Sequence, residues 1–453
     1  MDNLYNKAET LKNNKEYNEA IKICKQIINE KDDYNSYVMI CNCWYELNDI
    51  HKYELWMNRT YDKFKNIEPL YLLTKIFRER GQHFKAYHYY NMSKNIDSSS
   101  EYKNKIDYEH TVLHYYVYMN NRIDGLKNTI KFLNRYVLDQ SNVYNNMEYY
   151  LESIPHETIE LNLPEINNSA PSSCSYVEYK DIIIMNTRYV NYRIINNMYY
   201  MYENNTFNNM NNLITNNGLC FLDKNFNILL YPIFINNTIN LPKKETNIKG
   251  IEDIRLFTFQ DKIMYIGTTF EYATANTKNT MILGEYDYNN MRLINNIILS
   301  PPYESHLEKN WIPINHNNTK ILFIYSWYPI QIGHIDENNK LNIDIIHNTP
   351  YFFKNIRGST PIVEYNNMLF AIVHGSIETP VRKYYHLFVI LEKDTYKPLK
   401  YTVPFYFNKF AVEYTLGFSI MNDIVNIIIS RNDNNPCHIK MNIKDINNMF
   451  MDC

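Results

Sequence analysis

The hydrophobic pattern divides the chain into two textures. From residue 1 to about 150, apolar residues recur at helical spacing and strand-like alternation is almost absent. Leu4, Ala8 and Leu11 fall on one helix face; Tyr17, Ala20, Ile21 and Cys24 make a second such face. After Ser173 the texture becomes short apolar runs of strand length, separated by Asn-Asn and Asp-Lys turns. Between the two lies a polar stretch with Pro164 and the run Ser169-Ala170-Pro171-Ser172-Ser173, a composition typical of domain boundaries. The pattern predicts a helical domain over 1–150, a linker over 151–173 and an all-β domain over 174–453.

The helical part repeats. In Asn14-Lys15-Glu16-Tyr17-Asn18-Glu19-Ala20 an aromatic precedes a small residue by three positions. The same slots fall at Ile50 and Tyr53, then at His83 and Ala86, 33 residues apart at each step. A tetratricopeptide (TPR) period is about 34 residues. Pro69 to Leu73 and Arg80 to Tyr87 form the clearest unit, with Ala86 small enough for two helices to approach closely. Further helices are expected over 105–120 and 122–138. A stacked array of this kind offers a face for a protein partner or a shoulder for the next domain.

The β part repeats as well. One unit runs from Glu252 through a turn at Gln260-Asp261-Lys262 to Tyr286. The next runs from Lys309 through Asn317-Asn318 to Ile335. The third runs from Arg357 through Asn366-Asn367 to Leu391, and the fourth from Glu413 through Met421-Asn422-Asp423 to Ile443. A divergent fifth begins near Ser175 and includes Asp181 to Arg188. Starts about 45–60 residues apart suit the blades of a β-propeller. Asp253 and Thr268, Asn310 and Tyr325, and Ser359 and His374 hold polar groups at matching places, which a propeller gathers around one axis. The expected architecture is therefore a TPR-like α-helical repeat followed by an all-β, five-bladed propeller.

Composition narrows the functions. A net charge of −3 over 453 residues gives no long-range attraction for nucleic acid. No run approaches the roughly 18 apolar residues of a membrane helix, and the N-terminus lacks a signal-peptide core. Seven Cys at irregular spacing read as buried thiols in a reducing, cytoplasmic setting, neither a disulfide framework nor a metal site. With 10 Gly there is no phosphate-binding glycine loop, and no Asp-x-Asp motif calls for a divalent metal, so no cofactor is expected. Tyr occurs 43 times and Asn-rich runs recur, as in a chain encoded by an A/T-rich genome, so single Tyr and Asn residues carry little weight.

Gly250-Ile251-Glu252-Asp253-Ile254-Arg255-Leu256-Phe257 resembles the Glu-Asp-Pro-Arg motif of the five-bladed mannoside phosphorylases of glycoside hydrolase family 130, relatives of a β-mannosyltransferase family. The ordered set Arg188–Arg193, His306–Pro313, Arg357-Gly358-Ser359, Val373-His374, Tyr385–Val389, Val412–Gly417 and Ser430–Asp433 is similar to TPR-linked, glycosyltransferase-like proteins of bacteria and giant viruses. Ile254 stands where that motif has Pro, and the Ser430-Arg431-Asn432 ending lacks the usual Gly. The resemblance implies a metal-independent, inverting transfer of a mannose-like hexose from a nucleotide-sugar or sugar-phosphate donor to a glycan. Phosphorolysis or hydrolysis at the same site, and glycan or protein binding without turnover, are the alternatives.

The resemblance gives Asp253 the role of proton donor, which suits a carboxyl in a partly desolvated funnel. Arg255 beside it would orient substrate, with Glu252 in the same motif. Arg188, Arg193, Lys309, Arg357, His374 and His386 are the cations for an anionic group. Trp311 and Tyr325 would stack on a sugar; Asn191, Asn310, Ser359, Glu413 and Asp433 would hydrogen-bond it. For each residue alone, an ion pair or core packing is the competing role.

Overall fold

The computed structural model describes residues 2–80, 82–93 and 96, isolated positions from 102 to 131, and then 152–195, 198–208, 211–273, 277–314, 319–377, 382–408 and 412–453. The chain divides into two compact units, Met1–Phe132 and Leu133–Cys453. The helices expected over 105–120 and 122–138 and the turn at Asn317-Asn318 lie almost wholly outside the described residues.

The first unit contains helices α1 (Asp2–Asn13), α2 (Tyr17–Glu30), α3 (Tyr34–Glu46), α4 (Ile50–Phe64), α5 (Glu68–Glu79) and α6 (His83–Ser93). Their starts are chemically marked. The Asp33 carboxylate accepts from Ser36 N at 2.7 Å and that of Asp49 from Lys52 N at 3.0 Å. Pro69 sits in the first turn of α5, where its missing N–H costs nothing. The faces read from sequence are the ones buried: Ala8, Ala20, Ile21, Cys24 and Ala86 join Trp56, Leu70 and Phe77 in one core. Glu68 accepts from Tyr34 and from Tyr102, each at 2.7 Å and each 34 residues away.

The second unit is mostly β, in a propeller-like arrangement. Among the described residues six sheets follow one another. The first comprises Ala170–Tyr179, Ile182–Val190, Leu213–Leu222, Ile228–Phe234 and the parallel Ile248–Lys249. A three-stranded excursion, Tyr192–Ile195, Met198–Met201 and Phe207–Asn208, leaves it between its second and third strands. The second sheet is Ile251–Phe259, Lys262–Thr269, Thr280–Asp287 and Arg292–Leu299. The third is Ile312–Ile314, Leu322–Trp327, Ile330–Ile335 and Leu341–His347. The fourth has eight strands and is centred on Met368–Ile377 and Lys383–Glu392. The fifth is Glu413–Met421, Ile424–Arg431, Asn434–Asn442 and Glu157–Glu160.

Neighbouring sheets bury their faces against each other. Ile184 and Leu219 pack with Leu256 and Tyr265; Phe257 and Ile266 pack with Trp311 and Phe323. With both faces covered, strands such as Ile182–Val190 lose period-two alternation and are buried almost throughout, the polar Asn186, Thr187 and Arg188 included. The first and fifth sheets meet where the Tyr176 hydroxyl donates to Asn426 O at 2.8 Å.

The segment 151–173, expected as a linker, carries strands. Glu152–Ser153 pairs with Phe405–Tyr406, and Glu157–Glu160 supplies the outer strand of the fifth sheet by pairing with Asn434–Asn442. Its Pro and Ser content masks a four-residue strand that satisfies an otherwise open sheet edge.

Asparagine and aspartate do work here that glycine does elsewhere. Two-residue hairpin turns that follow the sheet twist need positive φ at both central residues. Asn366 and Asn367 (φ 49° and 59°) provide this, as do Asn422 and Asp423 (φ 50° and 65°). A β-branched residue in the left-handed region costs about 1–2 kcal/mol. Asn367→Val is expected to lower the unfolding free energy by about that amount, and Asn367→Gly to leave it unchanged or raise it, measured by urea denaturation.

Candidate functional site

The site is built on a break in one strand. Strand Ile251–Phe259 pairs regularly with Lys262–Thr269 except for a register shift between Glu252 and Arg255. Asp253 sits in this bulge at φ 51°, a conformation Asp tolerates better than most residues. In an unbroken strand consecutive side chains point to opposite faces. Here Glu252 and Asp253 both line the same cavity.

Arg255 holds the bulge. Its side chain is 0% exposed. Nη1 donates to Asp253 O at 3.1 Å, Nε to Ser359 O at 2.7 Å, and Nη2 to Asn310 Oδ1 at 3.1 Å and the Tyr414 hydroxyl at 3.0 Å. Nη2 also lies 3.3 Å from Gly358 O. Strands of the second, fourth and fifth sheets and the segment leading into the third therefore meet on one guanidinium. Asn310 itself has φ 66°. A Cβ on Gly358 would stand 2.5 Å from Ile312 Cγ1, so this crossing admits only glycine.

Arg188, on the first sheet, completes the ring. It bonds Glu252 Oε1 at 2.9 Å, Asp253 Oδ1 at 3.1 Å and the Tyr192 hydroxyl at 3.0 Å. Asp433 lies in the turn after Ile424–Arg431, with φ 53° beside Asn432 at 54°. It lines the same cavity, close enough for its charge to act on Arg188.

The cavity has two overlapping lobes of about 450 and 400 Å³ that share Glu252, Asp253, Lys309, Tyr384 and Asp433. Asn310, Arg357 and His374 line the second lobe. Burial raises the carboxyl of Glu252 above its ordinary range, against the pull of Arg188. Burial raises Asp433 too, again opposed by Arg188, with Asp253 adding to the rise. Lys309 is lowered by burial and by the cation of Arg357. His374 is held neutral by burial, with Nδ1 2.8 Å from Ser359 Oγ.

The structure thus brings together Arg188, Glu252, Asp253, Lys309, Asn310, Arg357, His374 and Asp433. It takes the other expected residues elsewhere. Arg255, expected to orient substrate, spends its donors on the protein and is not among the residues lining the cavity. Ser359 is buried with it, against His374. Asn191 braces a turn through Asn212 O and Ile214 N. Arg193 is exposed over the Tyr202 ring. His386 is enclosed by Phe405 and Phe407, and burial lowers it to about 3. Glu413 accepts from Phe407 N and Asn408 N, each at 2.9 Å, as a loop clasp. Trp311 and Tyr325 border a separate hollow of about 270 Å³.

Sequence reasoning missed Tyr192, Tyr199, Tyr384 and Tyr414, which line the cavity, and Arg382 at its rim. Tyr192 and Tyr414 lie inside motifs already marked by Arg188 and Glu413, so motif membership was the signal available. The other tyrosines are lost among the chain's 43. Among the described residues no three His, Cys, Asp or Glu gather to hold a metal ion, and no helix is long and apolar enough to cross a membrane.

No family model matches the chain, and neither does any curated protein. Solved structures similar to it include a β-1,2-mannobiose phosphorylase from Listeria innocua, at 14% identity over 65% of this chain and 98% of that one, TM-score 0.45. Another comes from the GH130 family of mannoside phosphorylases, which contains glycoside hydrolases that target β-1,2 mannosidic linkages in Candida mannan (9% identity, 64% and 94% coverage, TM-score 0.44). A mannose phosphorylase from Leishmania mexicana, in complex with phosphate ion, aligns at 10% identity over 67% of this chain and 92% of that one, TM-score 0.41. Identities and scores this low carry no function from those proteins to this one.

Two outcomes follow from the geometry. Arg255→Lys keeps the charge but cannot span Ser359, Asn310 and Tyr414; it is expected to lower stability by about 3 kcal/mol in denaturant titration. The raised Asp433 carboxyl favours folding while protonated, and that contribution is lost as pH rises through its folded pKa. Asp433→Asn should therefore raise Tm at pH 7 relative to wild type, and the gain should vanish below the ordinary aspartate range.

Proposed function

We propose that this cavity is the active site of an enzyme that breaks or makes a glycosidic bond with a phosphate group as partner. The observation that carries the reading is the meeting of three carboxyls, Glu252, Asp253 and Asp433, with Lys309, Arg357 and Arg382 around one cavity. The cations suit a phosphate dianion, with Arg able to grip two oxygens. The carboxyls suit sugar hydroxyls and proton transfer. The resemblance of Glu252-Asp253-Ile254-Arg255 to the family 130 motif supports Asp253 as proton donor.

In the phosphorolytic direction a phosphate oxygen bonds to the anomeric carbon. The bond from that carbon to the leaving oxygen breaks, and the oxygen takes the proton from Asp253. The products are a sugar 1-phosphate and a shortened sugar. The reverse is glycosyl transfer from sugar 1-phosphate, and a nucleotide-sugar donor differs only in what the phosphate carries. A mannose-like hexose is the sugar to try first.

We read the five sheets of four or more strands as five blades around the axis marked by Arg255. The helical unit is read as a TPR-like array, supported by the 34-residue steps from Tyr34 to Glu68 to Tyr102. Its exposed face is the place for a protein partner, and a cytoplasmic setting suits the six buried free cysteines.

The test is a turnover screen of the purified chain. It pairs inorganic phosphate with β-1,2-mannobiose and other β-linked disaccharides, and hexose 1-phosphates and nucleotide sugars with the corresponding acceptors. Wild type is expected to turn over one pair and Asp253→Asn to lose about 10³-fold with its fold intact. Equal rates for the two would remove Asp253 from the chemistry. Absence of turnover with every pair would remove the enzyme reading.

A further inference from the structure

The hollow beside the main cavity has features that bond formation at the main site does not use. Its volume is about 270 Å³, and it shares Leu307, Lys309, Asn310 and Arg357 with the main cavity. Its inner wall is fixed: Glu308, 3% exposed, accepts from Trp311 Nε1 at 2.8 Å and from the Tyr325 hydroxyl at 3.2 Å. Each carboxylate oxygen has a further lone pair for another donor. Trp327 also lines the hollow, is 3% exposed, and has no hydrogen-bond partner for its Nε1–H among the described residues. A buried donor left unpaired costs about 1–3 kcal/mol, which a ligand oxygen would recover. Tyr325, which lines the hollow, has its ring 6.2 Å from that of Tyr303, a neighbour 52% exposed.

From this we infer that the hollow is a saccharide subsite, holding one further sugar ring of a glycan whose reacting bond lies in the main cavity. A hexose presents hydroxyl donors to Glu308, a hydroxyl oxygen to Trp327 Nε1 and a C–H face to an aromatic ring. A purely apolar group would leave Glu308 and Trp327 unanswered, and a second phosphate would face the Glu308 carboxylate. The substrate class is then a trisaccharide or longer chain. The inference rests on the sugar reading of the main cavity and extends it.

The experiment measures binding, so it succeeds or fails independently of the turnover screen. The full chain carrying Asp253→Asn is titrated with β-1,2-mannobiose and mannotriose, and with cellobiose and cellotriose, by calorimetry and tryptophan fluorescence. In one series the trisaccharide should bind at least about fivefold tighter than the disaccharide, the equivalent of one added hydrogen bond. Trp327→Phe, which keeps a ring and removes the N–H, should bring that ratio close to one. Ser326→Phe, which fills the hollow from its half-buried edge, should do the same if the Trp327 variant fails to fold. A ratio of one in the parent for both series would overturn the inference. So would a ratio unchanged by the folded variants, or tryptophan quenching by uridine or guanosine monophosphate and by no saccharide.

Discussion

A single buried cation organises the β unit. Among the described residues Arg255 has no carboxylate against its guanidinium; carbonyls, an amide oxygen and a hydroxyl receive its donors. Burying a charge on such terms is tolerable only when nearly every donor is satisfied. Satisfying them requires Asp253 and Tyr414, on strands of the second and fifth sheets, and Asn310 and Ser359, beside the first strands of the third and fourth, to converge on one point. The bulge at Asp253, the left-handed Asn310 and the glycine crossing at Gly358 are the local distortions that convergence demands. Strain of this kind persists only where the surroundings over-determine it.

The electrostatics of the cavity follow from that frame. Glu252 and Asp253 bond Arg188 and the charge of Asp433 acts on it, whereas Lys309 is exposed to the cation of Arg357 as well as to the Asp253 and Glu252 carboxyls. Repulsion from Arg357 helps lower Lys309, and an anion between the two would relieve it. The excursion carrying Tyr192 and Tyr199 adds a wall with its own small core of Val190, Tyr192 and Leu213. It is held by packing rather than by a loop alone.

Much of the fold was legible because its periodicities are strong. The buried faces of α1, α2 and α6 and the strand pairs of the second, fourth and fifth sheets follow from spacing and from turn residues such as Gln260-Asp261 and Asn366-Asn367. The strand at Glu157–Glu160 was hidden because four residues inside a Pro- and Ser-rich stretch carry little pattern. Discounting asparagine as a product of codon bias was half right. Individual residues such as Asn191 serve turns, yet Asn310 accepts from the buried Arg255 and supplies the left-handed backbone that a chain with 10 Gly must find elsewhere. For the site, motif order pointed at the charged residues that line the cavity. It could not separate Arg255 and Glu413, which support the frame, from Arg188 and Asp433, which face the space. That distinction lies in side-chain direction at a bulge and in burial, and neither is written in spacing.

The measurement that tests the account most directly is calorimetric titration of the intact chain with hexose 1-phosphates, including mannose 1-phosphate, alongside Arg357→Ala. Saturable binding by wild type, weakened about tenfold or more by loss of the exposed Arg357 and by rising salt, is the predicted result. Absence of binding, or equal binding by both proteins, would contradict the assignment of this cavity to a phosphate-bearing sugar.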